Sequence, residues 1–78
     1  MATTQRWEYL TIQIGFFGMN SNHPAARFIN GMEIKDWKKV PLHAFITRLG
    51  ADGWEMSGTM SIFGTNDGNY LFFKRPIP

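Results

Sequence analysis

From Arg6 to Phe17 the apolar residues Leu10, Ile12, Ile14 and Phe16 fall on every second position, and Trp7, Tyr9, Thr11 and Gln13 take the other set. Period two is the mark of a half-buried strand, with the first set facing a core. The stretch Gly18-Met-Asn-Ser-Asn-His-Pro24 is dense in turn formers, which predicts a loop. Ala26–Ile29 and Met32–Lys35 then flank Asn30-Gly31, the dipeptide best suited to a type I′ turn because both central residues need positive φ. A short hairpin is expected there. In Pro41–Leu49 the period changes: Leu42, Phe45, Ile46 and Leu49 stand at i, i+3, i+4 and i+7, behind a proline suited to a first helical turn. Gly50 and Gly53 mark the end of this helix, and Gly53 is the better candidate for the left-handed residue that turns the chain into the next strand.

Alternation returns from Trp54 to Phe63, with Trp54, Met56, Met60 and Ile62 on one side and Glu55, Ser57, Thr59 and Ser61 on the other. Gly64–Gly68 reads as a hairpin loop, and Tyr70–Arg75 as a returning strand that Pro76 should end, since proline donates nothing to a ladder. The sum is an α+β domain, a small antiparallel β-sheet with one α-helix packed on one face. A helix that returns the chain makes the first strand and Trp54–Phe63 parallel, so the last strand is expected between them. The expected core is Leu10, Ile12, Ile14, Phe16, Leu42, Phe45, Ile46, Leu49, Trp54, Met56, Met60, Ile62, Leu71 and Phe73. Taking Leu71 and Phe73 inward leaves Tyr70 and Phe72 outward, and a register change of one residue would exchange the pairs.

Three segments also resemble a known pattern. Trp7-Glu-Tyr9 opens the first strand, Leu49-Gly-Ala-Asp-Gly-Trp-Glu55 stands at the helix-to-strand junction, and Tyr70-Leu-Phe-Phe-Lys-Arg-Pro76 closes the chain. In this order they resemble a family of small bacterial domains of unknown function. The chain departs from it most between Gly18 and Lys39. The resemblance implies a helix on an antiparallel sheet, with no activity and no catalytic residue to carry over.

At 78 residues the chain has room for one domain, residues 1–78, near the size at which a single core is only just sufficient. An apolar share of 44% with 15% aromatics is that of a chain that folds. The absence of cysteine removes disulfides and thiolate metal sites and suits a reducing compartment, so a cytoplasmic location is expected. Residues 1–6 lack the order of a signal peptide, and no apolar run approaches the ~20 residues that span a bilayer, so no membrane is expected. A net charge of +2 is too small to declare a polyanionic partner.

Catalytic and cofactor chemistry finds little to work with. The two histidines, His23 in the turn-rich loop and His43 on the polar side of the helix, do not make a metal site. Aligning Phe63–Lys74 with a calcium loop puts Phe63 and Lys74 where the first and last carboxylates belong. Ser57-Gly58 is a strand pair without a nucleophile elbow, Asp52 and Glu55 lie on a water-accessible turn, and no helix follows Gly64 and Gly68 to cradle a phosphate. No enzyme activity, cofactor or metal is therefore expected.

What remains is a surface. Trp7, Tyr9, Tyr70, Phe72, Lys74 and Arg75 form the candidate interaction surface on the sheet's open face, where contiguous exposed aromatics mark a contact site. The reading that follows is a non-catalytic interaction module that associates with itself, most simply as a dimer. The alternative is single-stranded nucleic-acid binding, with these aromatics as stacking platforms and Lys38, Lys39, Lys74 and Arg75 on phosphates. An ordinary architectural role for the same residues, with Glu55 opposite Lys74 or Arg75, stands beside both.

Overall fold

The computed structural model describes residues 4–21, 23–62 and 68–78. Its strands are β1 (Arg6–Phe17), β2 (His23–Ile29), β3 (Met32–Glu33), β4 (Glu55–Ser61) and β5 (Asn69–Ile77), with the helix α1 (Leu42–Ala51) between β3 and β4. The strands form one antiparallel sheet in the order β3-β2-β1-β5-β4, so the last strand lies between the first and the fourth, as expected. Of the loop predicted at Gly64–Gly68, residues 64–67 lie outside the described residues, as does Phe63 of the calcium-loop comparison.

The local signals act as their chemistry requires. Asn30 and Gly31 take φ of 50° and 85°, the positive pair that a two-residue hairpin needs. Asn30 also ties the turn to β1: its backbone N–H donates to the Thr11 carbonyl at 2.8 Å, and its side-chain Oδ1 accepts from the Thr11 N–H at 2.9 Å. At the end of α1, Gly53 has φ of 90°. The Gly53 N–H donates to Gly50 and the Trp54 N–H to Leu49, at 3.0 and 2.9 Å, the paired bonds of a left-handed helix closure. Trp54 thereby lands beside Leu49 against the core. Pro41 stands one residue before the helix in extended conformation rather than in its first turn.

The core lies between α1 and one sheet face. Ile12, Ile14, Ala26, Leu49, Leu71 and Phe73 are buried, with Leu10, Phe16, Ile29, Leu42, Phe45, Ile46 and Trp54 packed around them. Leu71 and Phe73 are thus the inward pair. Met56, Met60 and Ile62 are not core, being 42%, 47% and 51% exposed. Met56 lies on the edge strand, which is exposed almost throughout, and for Met60 and Ile62 the cause is a bulge: Met56 pairs with Phe73 and Gly58 with Phe72, so Ser57 is the extra residue. One inserted residue reverses the pleat, which puts Met56 on the helix side and Met60, opposite Tyr70, on the other. Nor does Pro76 end its strand. It pairs with Trp7 beyond the last β4 pairing, Glu55 with Lys74, and β5 continues to Ile77.

A second bulge, at Arg27, lies between the pairs Gln13–Phe28 and Ile14–Ala26. Beyond β3 the chain leaves the sheet edge, makes a 3-10 turn at Trp37–Lys39, and returns where the Ala26 N–H donates to the Val40 carbonyl and Ala25 bridges Pro41. This excursion carries Trp37 to the face opposite α1. A Cβ built on Gly15 would stand 2.8 Å from both Trp37 Cζ3 and Arg27 Cδ, and 2.9 Å from Arg27 Cβ. Glycine is therefore required there by contact, since the Arg27 Cβ is fixed to its own backbone. Of the loop predicted at Gly18–Pro24, Asn22 lies outside the described residues, and His23 and Pro24 open β2, paired with Phe17 and Phe16.

Three glycines should consequently respond differently to alanine. Gly15→Ala should cost about 1–3 kcal/mol by overpacking. Gly53→Ala, with nothing within 4 Å of the new methyl, should cost ~1 kcal/mol or more through its positive φ alone. Gly50→Ala, inside α1 and equally unobstructed, should gain up to about 1 kcal/mol. Urea denaturation of the three variants checks the order; a destabilised Gly50→Ala or an unaffected Gly15→Ala would contradict it.

Candidate functional site

The pairing registers determine which side chains share the face away from α1. Trp7, Tyr9, Thr11 and Gln13 of β1 lie on it, and their partners on β5 are Pro76, Lys74, Phe72 and Tyr70. Glu55, Gly58 and Met60 of β4 continue the rows through Lys74, Phe72 and Tyr70, while Phe28 and Glu33 extend the Gln13 row across β2 and β3. The result is a strip of rings with a cationic group at one end. The Tyr70 and Phe72 rings stack with centroids 6.5 Å apart and planes 12° from parallel. Lys74 Nζ lies 4.5 Å from the centre of the Trp7 ring, close enough for the ring's negative face to attract it. Tyr9 is 67% exposed and Trp7 37%.

Five of the six residues named from the sequence, Trp7, Tyr9, Tyr70, Phe72 and Lys74, share this face. Arg75 does not. Its odd position in β5 turns it to the helix side, where the guanidinium lies 4.3 Å from the centre of the Trp54 ring, its Nε is ion-paired with the Glu8 carboxylate, and its Nη1 donates to the Asp52 carbonyl at 2.9 Å. Residues of Trp7–Tyr9, Leu49–Glu55 and Tyr70–Pro76 therefore meet at one end of the sheet. Glu8, Asp52, Trp54 and Arg75 are joined below it, and Trp7, Lys74 and Glu55 adjoin above it. In this cluster the Glu8 oxygen holds the guanidinium, and Asp52 and Glu55 are exposed.

The other end of the same face is covered, which the sequence reading missed. Arg27 stacks over Trp37 at 4.8 Å and over Phe28 at 5.3 Å while its Nε donates to Glu33 at 2.9 Å; Trp37 in turn meets the Phe17 ring edge-on at 5.9 Å. A glycine at the Gly15 place in an otherwise bulky alternation was the available signal, since it marks close approach.

The Ser57 hydroxyl donates to the Phe72 carbonyl at 3.2 Å and so stitches the bulge to β5. Among the described residues no three histidine, aspartate or glutamate side chains converge as a metal site requires, and no helix is long and apolar enough to cross a membrane. Comparison with protein-family models, with curated proteins and with solved structures finds no match to this chain.

If the lower cluster holds the helix-to-strand junction to the sheet, Arg75→Ala should cost about 1–2 kcal/mol, more than an exposed ion pair, because it removes a cation–π contact and a carbonyl bond as well. Arg75→Lys should recover only part, for an ammonium lacks the planar fork. Thermal unfolding of both variants checks this, and equal stability of wild type and Arg75→Ala would show that the cluster is ornamental.

Proposed function

We propose that this domain is a non-catalytic interaction module that pairs with a second copy of itself through the sheet face opposite α1. The observation that carries the proposal is the strip in which exposed Trp7, Tyr9 and Met60 adjoin half-buried Tyr70 and Phe72, in a chain whose only large, fully buried side chains among the described residues are Phe73 and Ile12. So thin a core gains from a further buried surface, and an aromatic patch of this kind marks a contact site. A standard interface takes about 600–1,000 Å² from each partner, roughly a tenth to a sixth of the 5804 Å² that this chain exposes.

The charges on the face favour a second copy over a polyanion. Lys74 stands opposite Glu55 in the ladder, and Arg27 is ion-paired with Glu33, so each of these two cations has a carboxylate beside it on the face. A two-fold axis brings the same patch against itself, and a patch with both signs side by side can then match each cation of one copy to an anion of the other. Single-stranded nucleic acid is the second reading, favoured by the stacked Tyr70 and Phe72 and by Lys74 beside Trp7. It loses Arg75, which faces the other way. The resemblance to small bacterial domains of unknown function agrees with either reading and adds no activity.

Size exclusion with light scattering at micromolar concentration should give twice the monomer mass. Tyr9→Ala, at a ring that contributes nothing to the core, should weaken association by about tenfold or more with unfolding unchanged. A strictly monomeric wild type overturns the proposal. Binding of a single-stranded oligonucleotide that declines steeply with salt and is weakened by Lys74→Ala would put the second reading in its place.

A further inference from the structure

At the end of the sheet remote from Trp7 and Lys74, where the returning chain passes from one face to the other, a half-open cleft of about 420 Å³ lies between the start of α1 and the β1–β2 end. Its volume falls within the range of small-ligand sites, about 300–1,000 Å³. Phe17, Pro24, Pro41, Leu42 and Ile46 give it an apolar lining. The remaining lining groups are His23, Lys38 and His43, two imidazoles and an ammonium. Among the described residues no acidic side chain lines it, and none stands in the first turn of α1.

The basic groups come from three separate elements, yet two are steadied by rings. His23 packs against Phe17 with centroids 5.4 Å apart, and the Lys38 ammonium lies 5.8 Å from the centre of the Trp37 ring. Two imidazoles without a third ligand do not hold a metal. An inorganic anion would leave most of the lining unused, and a neutral apolar molecule would leave the N–H donors unmatched. A ligand with an apolar body and one anionic group matches both parts of the lining.

We propose that this cleft binds a small organic carboxylate, with its acyl or aryl body against Leu42, Ile46 and Phe17 and its carboxylate among His23, Lys38 and His43. The proposal is independent of self-association, because the cleft and the aromatic strip lie at opposite ends of the sheet.

The test is an NMR titration of the full chain with octanoate, with octanol and octylammonium as probes of the same length. Octanoate should shift the resonances of Leu42, His43 and Ile46 saturably, octanol should bind about tenfold more weakly, and octylammonium more weakly still. Lys38→Ala and His43→Ala, both at exposed positions, should each weaken octanoate severalfold, while Tyr9→Ala should leave its affinity unchanged even where it dissociates the dimer. Equal affinity for octanoate and octanol would overturn the assignment by showing that the basic groups select nothing. Absence of saturation, or shifts confined to Trp7, Tyr9 and Phe72, would overturn it as well.

Discussion

The placement of β5 between β1 and β4 is the constraint on which the other features depend. Because Leu10 pairs with Phe73 and Ile12 with Leu71, four inward side chains form one apolar block beneath α1. The same register puts Tyr9 against Lys74 and Thr11 against Phe72 on the far face. A slip of one residue would bring Tyr70, Phe72 and Lys74 to the helix side, putting a phenol and an ammonium where the apolar Leu71 and Phe73 now fill the core. The burial of Phe73 and the exposure of the aromatic strip are therefore one event. The core cannot form without presenting the strip.

This coupling explains how much of the molecule could be read from the chain. Strict alternation from Leu10 to Phe16, the helical spacing of Leu42, Phe45, Ile46 and Leu49, and the turn chemistry of Asn30-Gly31 and Gly53 are local signals, and each corresponds to the element observed. Trp54 and Met60 share a parity yet end up on different sides, because parity survives only while the ladder is regular. A bulge at Ser57 is set by pairing with a strand more than ten residues away, so the residues of β4 alone do not announce it. The covered end of the open face was hidden for a similar reason: Trp37 reaches Gly15 through an excursion whose path depends on where β2 lets the chain return.

The candidate surface was legible where it depended on the alternation of β1 and β5 and illegible where adjacent residues had to be separated. Lys74 and Arg75 are neighbours of like charge, but a strand sends them to opposite sides. One then borders the aromatic strip beside Trp7, and the other holds the helix-to-strand junction through Trp54 and Glu8. Trp7–Tyr9, Leu49–Glu55 and Tyr70–Pro76 thus serve two ends from one place, fastening the fold on one side of the sheet and flanking the aromatic strip on the other.

The bulge at Ser57 also bears on how copies of this chain stack in a crowded solution. β4 is the longer of the two outer strands, and its outward backbone would ordinarily invite strand after strand to add along the edge. An extra residue in the middle breaks the even spacing of donors and acceptors and increases the local twist, and Gly58 beside it leaves no side chain to grip an incoming ladder. β3, at the other margin, is only two residues long. Growth by edge addition, the geometry of fibres, is obstructed on both sides, and the pairing proposed above, through the flat of the sheet about a two-fold axis, would end an assembly instead of extending it.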